Sequence, residues 1–336
     1  MARVAVTGGL SYSGRYLSKL LLDAGHSVVN LSSRSAPLAS SPLLASDVAK
    51  VQTLPLDFTD ERKLGSALEG CDVLYCTYWI RFARDGDTHS AAADRCAKLF
   101  DLARRVGVQR IVFTSHTHAR EDSPYAYIAG KAQAAAALRS CGVPSYAIAR
   151  PCGIFGDTAE ESILMNNAAW VLRRVPLFLL AGTGQHRFQP IHVRDMAQLL
   201  YDLGRLTETD AGAGNGLSSR SRPSEERDAC GPDAPTSLEL FKHLGRAVGA
   251  RGAVLAPGFL PTRLITKLTK PIDWWTGDVL LDGDDLDLLG SGLTVAEDPD
   301  DLAIRSRRSL LSWIEQVSPT LGNEYVSSVR RYYYAR

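Results

Sequence analysis

The sequence predicts an α/β fold: a doubly wound parallel sheet followed by a smaller C-terminal α/β lobe. Three observations predict it. Short apolar runs alternate with segments of helical period through residues 1–150. Parallel strands need such crossover helices, and helices on both faces cover the sheet. The first run leads into a glycine-rich turn, "TGGLSYSG" (7–14), that opens a helix. After Arg150 the alternation loosens, which marks the change to the second lobe.

The elements follow in order. Val4–Thr7 is a short apolar strand. Arg15–Ala24 carries Leu17, Leu20, Leu21 and Ala24 at helical spacing, and Gly25 ends it. Further strands are expected at Ser27–Ser32, Val51–Leu56, Asp72–Thr77, Arg110–Thr114 and Ser145–Arg150. Helices are expected between them at Glu61–Leu68, His89–Val106 and Tyr125–Ser140. Beyond Arg150, Ser162–Arg174 reads as a helix, Pro190–Val193 as a short strand and Asp195–Leu206 as a helix. Residues 211–235 are rich in Gly, Ser, Arg, Asp and Pro and predict a long mobile loop. The expected domains are 1–150, with 186–206 returning to it, and a lobe of 151–185 and 207–336.

A chain of 336 residues suffices for this arrangement. Its 38 Lys and Arg nearly balance 37 Asp and Glu, so charge draws it neither to nucleic acid nor to a membrane surface. The six cysteines (Cys71, Cys76, Cys96, Cys141, Cys152, Cys230) make no CxxC pair and no metal spacing. Reduced thiols, no metal and a cytoplasmic home are expected. The chain opens directly on a strand, which leaves no room for a signal peptide. The longest apolar run, Val175–Ala181, is too short to span a bilayer.

The glycine-rich turn has the form of a dinucleotide-binding site. There a first glycine allows the tight turn, a second lets the backbone approach the pyrophosphate, and a third lets helix and strand pack. Gly8 and Gly14 fill the first and third places, and Ser11 stands at the second. The helix N-terminus, with Tyr12 and Ser13, would face the phosphates. The second strand ends in "NLSSRS", and no Asp or Glu occurs from residue 24 to 46. An NAD site uses a carboxylate there for the ribose 2′-hydroxyl. Ser32, Ser33 and Arg34 suit a 2′-phosphate instead, so NADPH/NADP+ is favoured over NADH/NAD+. Asp57, in "LPLDFTD" with Phe58 beside it, could accept from the adenine amino group or cap the next helix.

"SPYAYIAGK" places Tyr127 and Lys131 four apart, on one helical face. A phenol is a weak acid near neutral pH, and a nearby ammonium lowers its pKa. Lys131 could also hold the nicotinamide ribose. "RIVFTSHTHAR" ends the fifth strand with Ser115 and Thr117, hydroxyls that could hydrogen-bond the substrate oxygen. Ligands in such sheets lie beyond the carboxyl ends of the strands.

With "TGGLSYSGRYL", "LPLDFTD", "DVLYCTYWIRF", "SPYAYIAGK", "ARPCGIFG" and "FQPIHVRDMA", the chain resembles the extended and atypical short-chain dehydrogenase/reductases. It is most similar to their NAD-dependent epimerase/dehydratase-like group, related to a complex I accessory subunit. The resemblance covers about residues 1–205 well. It implies a Rossmann domain with a smaller substrate lobe, Tyr127 as acid/base, Lys131 as its partner, and Ser115 or Thr117 as the hydroxyl. It also places Gly8, Ser11 and Gly14 at the pyrophosphate. Two departures stand out: Ser11 replaces glycine, and the twelve-residue step from Ser115 to Tyr127 is short.

Other residues are candidates by position. Thr77, Tyr78 and Trp79 follow the fourth strand and would reach the cofactor's edge; the aromatics line a pocket or pack against the helix at His89. Pro151, Cys152 and Gly153 should pass beside the nicotinamide. His116, His118, Asn166, Trp170, Arg187 and Gln189 are candidate substrate contacts. Trp274 and Trp275 are expected in the lobe core, and "RRYYYAR" at the end as a surface helix terminus or dimer contact. The expected protein is a monomer or homodimer that takes a small-molecule substrate. Three readings compete. The first is an NADP(H)-dependent biosynthetic oxidoreductase acting on a small or medium, polyketide-like substrate. The second is a non-redox epimerase, dehydratase or cyclase. The third is a non-catalytic nucleotide-binding sensor or assembly protein.

Overall fold

The computed structural model describes residues 1–32, 34, 36–37, 41–83, 86–206, 222–262, 264, 267, 278, 288–298 and 308–328. Ser33, loop residues 211–221, Trp274, Trp275 and the terminal "RRYYYAR" lie outside the described residues.

In chain order the elements are β1 (Arg3–Thr7), α1 (Tyr12–Asp23), β2 (Ser27–Leu31), α2 (Ala45–Val48), β3 (Gln52–Leu54), α3 (Glu61–Leu68), β4 (Val73–Cys76), α4 (His89–Arg105), β5 (Arg110–Thr114), α5 (Ala126–Ser140) and β6 (Ser145–Pro151). There follow β7 (Ile154–Phe155), a 3-10 turn (Ala159–Glu161), α6 (Ile163–Leu172), β8 (Leu177–Leu179), β9 (Ile191–His192), α7 (Val193–Gly204), β10 (Glu225–Ala229), α8 (Ser237–Ala247), β11 (Ala253–Leu255) and α9 (Leu310–Val317).

The first unit comprises Met1–Arg150 and Met196–Arg227. Its sheet runs β10-β6-β5-β4-β1-β2-β3. The pairs β1–β2, β2–β3, β1–β4, β4–β5 and β5–β6 are parallel. The chain winds from β1 out to β3, then crosses back to β4 and out to β6. This is the doubly wound Rossmann arrangement, and the change of direction beside β1 is where such sheets bind ligands. The inner strands β4 and β5 are apolar nearly throughout because helices cover both faces. Leu99, Phe100 and Leu102 of α4 and Ala134 and Leu138 of α5 pack with Phe113 and Ile148 of the sheet. Asp60 caps α3 by accepting from Lys63 N at 3.0 Å, and Thr88 caps α4 by accepting from Ala91 N at 3.1 Å.

The second unit comprises Pro151–Asp195 and Asp228–Arg336. It has its own core of Phe155, Met165, Leu172, Phe241, Leu244, Trp313 and Ile314. Among the described residues, no helix is long and apolar enough to cross a membrane.

Two expectations need correction. The chain rejoins the first unit at Met196 rather than at 186. The segment expected as a loop through Pro235 contains β10, the edge strand beside β6. Hydrophobic pattern missed it because "EERDA" is held by charge. Arg110 on β5 is fully buried. Its Nε donates to Leu203 O at 2.6 Å, and its other nitrogens donate to Ser145 Oγ at 2.6 Å, the carbonyls of Arg222 and Pro223, and Glu225 Oε1 at 2.9 Å. Burial pulls this guanidinium down to about 10, with Glu225 working against the shift. Nearer the surface, Arg139 of α5 pairs with Glu226 at 2.6 Å.

Glu225 keeps Arg222 at 2.7 Å, but the Leu203, Arg222 and Pro223 carbonyls lose their buried donor when Arg110 is removed. Arg110→Met is therefore expected to lower the unfolding free energy by about 2–3 kcal/mol in urea denaturation. Ser145→Ala, which removes one hydrogen bond of the set, should cost only about 1 kcal/mol.

Candidate active site

The β1–α1 turn is built from backbone contacts. Gly8 has φ +65°, the left-handed region. Its N–H donates to Leu31 O at 2.9 Å, and its carbonyl accepts from Ser11 N at 2.8 Å. A side chain at Gly14 would put Cβ 2.1 Å from that same carbonyl oxygen. Ser11 is extended at the N-cap of α1, and its hydroxyl makes no capping hydrogen bond. The first turn of α1 holds no acidic residue. Ser11 therefore leaves the turn intact and the helix end electropositive, a setting for a phosphate. Tyr12 and Ser13 open this helix, three residues before Arg15, where the helical period was expected to begin.

Sequence reasoning missed Asn30, a buried polar residue inside apolar β2. Its Nδ2 donates to Arg34 O and Thr53 Oγ1, both at 3.2 Å. Arg34 N donates to Ser32 Oγ at 3.0 Å, so Asn30 and Ser32 together fix the backbone that carries Arg34. Asp57 is not the cap of α3, a place taken by Asp60. Its Oδ1 accepts from Thr59 Oγ1 at 2.6 Å and Thr59 N at 2.9 Å, and these bonds lower its pKa. Phe58 packs on Tyr78 at 5.0 Å between ring centroids. The Thr77 hydroxyl donates to Thr7 O, so it ties β4 to β1 instead of reaching outward.

The Tyr127–Lys131 pair lies where α5 meets α4. A Cβ at Gly130 would be 2.8 Å from His89 O, so only glycine lets α5 pass this close. Lys131 is 3% exposed. Its Nζ donates to Thr114 O at 2.6 Å and lies 4.2 Å from the centre of the Trp79 ring and 5.0 Å from that of Phe113. Burial pulls its pKa down to about 8, while Cys96 and Cys76 act in the opposite sense. The Tyr127 ring is 6.0 Å from Nζ. Three further rings meet Tyr127 edge to face: His89 at 5.4 Å, His116 at 5.8 Å and Trp79 at 6.1 Å. Trp79 also stacks on His89, so it both packs against α4 and borders Tyr127. His89, first residue of α4, was read only as a packing partner. Tyr78 accepts at its hydroxyl from Arg95 at 3.0 Å.

Ser115 follows β5, and its N–H donates to Ala149 O at 2.8 Å. Its Oγ is buried and has no hydrogen-bond partner among the described residues. Thr117 is fully buried. Its carbonyl lies 2.6 Å from His116 Nδ1. A carbonyl only accepts, so the proton sits on Nδ1. His118 turns the chain at φ +54°.

In the second unit Asn166, Gln189 and Trp170, expected as substrate contacts, each make contacts within the unit. Asn166 donates to Glu324 O at 2.9 Å and accepts from Gly322 N at 3.0 Å. Gln189 donates to Gly231 O at 2.9 Å and accepts from Ala296 N at 3.1 Å. Trp170 packs on Tyr325 and under Arg174. Buried amides must satisfy both ends, and here the backbone does so. Arg187 likewise donates to Ala234 O at 2.6 Å. Pro151 ends β6, and Gly153 packs so closely on Phe188 that a Cβ would lie 2.8 Å from that ring.

Residues 8–169 match the family described as NAD(P)H-binding. Over those residues the chain is similar to that family, and its fold is the Rossmann arrangement that the solved structures below share. It is 30% identical over 214 residues to an uncharacterized protein of Mycobacterium tuberculosis, a match covering 63% of this chain and 21% of that protein. The chain therefore spans about a fifth of that relative's length. It is 28% identical over 124 residues to the 3-beta-hydroxysteroid dehydrogenase of Mycolicibacterium neoaurum, covering 34% of this chain and 32% of that one. Two solved structures share its fold. The triphenylmethane reductase of Citrobacter sp., complexed with NADP(H), has a TM-score of 0.67 at 15% identity over 94% of this chain and 99% of its own. A nucleoside-diphosphate-sugar epimerase of Staphylococcus aureus has a TM-score of 0.66 at 14% identity over 93% and 99%.

Two outcomes are expected. Gly14→Ala drives a methyl into the Gly8 carbonyl, so it should lower stability by about 1–3 kcal/mol in thermal unfolding and abolish nicotinamide-nucleotide binding. Lys131 titrates at about 8 in the fold against 10.5 in the unfolded chain. The unfolded chain therefore binds more protons between these values, and the fold gains stability as pH rises through the window. The gain is complete above the unfolded value and lost as pH falls to about 8. Measured by urea unfolding, the stability of wild type relative to Lys131→Met should rise by about 3 kcal/mol across it.

Proposed function

We propose that the protein is an NADP(H)-dependent oxidoreductase that moves hydride between a nicotinamide and a carbonyl or alcohol carbon. One arrangement carries the reading, in the unit that holds the glycine turn: the Tyr127 ring stands 6.0 Å from the Lys131 ammonium, which bonds Thr114 O, and the next residue, Ser115, has a buried hydroxyl with no partner among the described residues. The residues fit a nicotinamide nucleotide. The turn leaves no room for a side chain at Gly14, the end of α1 is uncapped, and Ser115 Oγ lacks a partner among the described residues. Gly8, Ser11 and Gly14 would hold the pyrophosphate, and Arg34 with Ser32 the 2′-phosphate. Asp57 would serve the adenine, and Lys131 the ribose. When bound, the nicotinamide supplies or accepts the hydride.

The chain's own residues handle the proton. In reduction Tyr127 gives its hydroxyl proton to the carbonyl oxygen, and in oxidation it takes one from the alcohol. Ser115 Oγ donates a hydrogen bond to the same oxygen. The Lys131 ammonium, 6.0 Å from the Tyr127 ring, would steady the phenolate left when the proton is given up. The aromatic surroundings of Tyr127 favour an apolar, ring-bearing substrate of small or medium size, polyketide-like in character. The similarity to a hydroxysteroid dehydrogenase supports that choice.

The test is a titration with NADPH and NADH, followed by nicotinamide fluorescence, on wild type and Arg34→Ala. Tighter binding of NADPH, selectively weakened by Arg34→Ala, supports the reading; no binding of either nucleotide at millimolar concentration overturns it. Tyr127→Phe should keep NADPH affinity and lower NADPH oxidation with ring-bearing ketones by about 10²–10⁴-fold.

A further inference from the structure

Lys131 can serve a ribose only if its ammonium can be reached, and here it cannot. The side chain is 3% exposed, and Nζ is sealed between the Thr114 carbonyl at 2.6 Å and the Trp79 ring at 4.2 Å. A cation over an indole face is the strongest of the side-chain cation–π pairs, more so when water is excluded. Yet the indole holds this place at a cost. Its Nε1 is buried and has no hydrogen-bond partner among the described residues. A buried donor without a partner favours any conformation in which it finds one. Trp79 also stands three residues past β4, outside helix and strand, so it can turn without breaking a regular element.

We propose that Trp79 occupies the place over Lys131 that the nicotinamide riboside takes. Binding is then an exchange. The indole leaves the ammonium, Nε1 gains a partner, and ribose hydroxyls accept from Nζ in its stead. Trp79 is thus a positioning residue that sets nucleotide affinity through Lys131. This rests on the reading of Lys131 as the ribose ligand.

The experiment is an NADPH titration of the full chain as wild type, Trp79→Ala, Trp79→Phe, Lys131→Met and the Trp79→Ala/Lys131→Met pair. Removal of the competing ring should tighten binding by about three- to thirtyfold, the range a cation–π contact spans. Trp79→Phe, with a weaker ring of similar bulk, should fall between and guards against a folding defect in the alanine variant. On the Lys131→Met background, Trp79→Ala should change nothing, because the contact being competed for is gone. Equal or weaker binding by Trp79→Ala overturns the exchange while the nicotinamide reading stands. A gain that survives in the double variant also overturns it, since simple relief of crowding would suffice. If no variant binds, the nicotinamide reading and the exchange fall together.

Discussion

A positive charge buried at the end of β5 constrains everything around it. An ammonium in an apolar interior is unstable unless carbonyls, rings or polarizable atoms surround it. Lys131 has all three: the Thr114 carbonyl, the faces of Trp79 and Phe113, and the nearby sulfurs of Cys76 and Cys96. Those groups come from β4, β5 and α4, so the charge can sit there only when the sheet and its crossover helices are in register. Gly130 enforces the same register from the other side, because α5 reaches this depth only by lying against the backbone of His89.

The glycine turn and the Tyr127–Lys131 pair obey one logic. In each, a missing side chain lets backbone approach backbone, and polar groups are brought into a place they would not otherwise occupy. At Gly14 the result is an electropositive helix end beside β1. At Gly130 it is a phenol one helical turn from a desolvated cation. Ser11 answers to neither constraint, which is why a hydroxymethyl group is accepted where glycine is more usual.

Much of the first unit was legible because its signals are local. The apolar runs, the turn after β1 and the Tyr127–Lys131 spacing each depend on a few neighbouring residues. β10 was not legible, since its stability comes from Arg110, more than a hundred positions earlier, rather than from its own apolar content. The internal bonds of Asn166 and Gln189 were not legible for a related reason. An amide that braces a remote loop has the same letter as one that greets a substrate, and only the partner distinguishes them. Asn30 and His89 do carry a faint signal, as polar residues at the buried end of a strand and the start of a helix.

The Arg110 brace has a consequence for how the protein is made. On the ribosome β6 is complete at Pro151, but its neighbour β10 begins only at Glu225. Throughout the synthesis of residues 152–224 the nascent sheet has a bare edge, and Arg110 lacks Glu225 to hold, with Leu203 made only late in that stretch. An open edge beside an unsatisfied charge is a docking place for chaperones or for another nascent chain. The brace thus makes the Rossmann unit a late product of translation, although most of its strands emerge first.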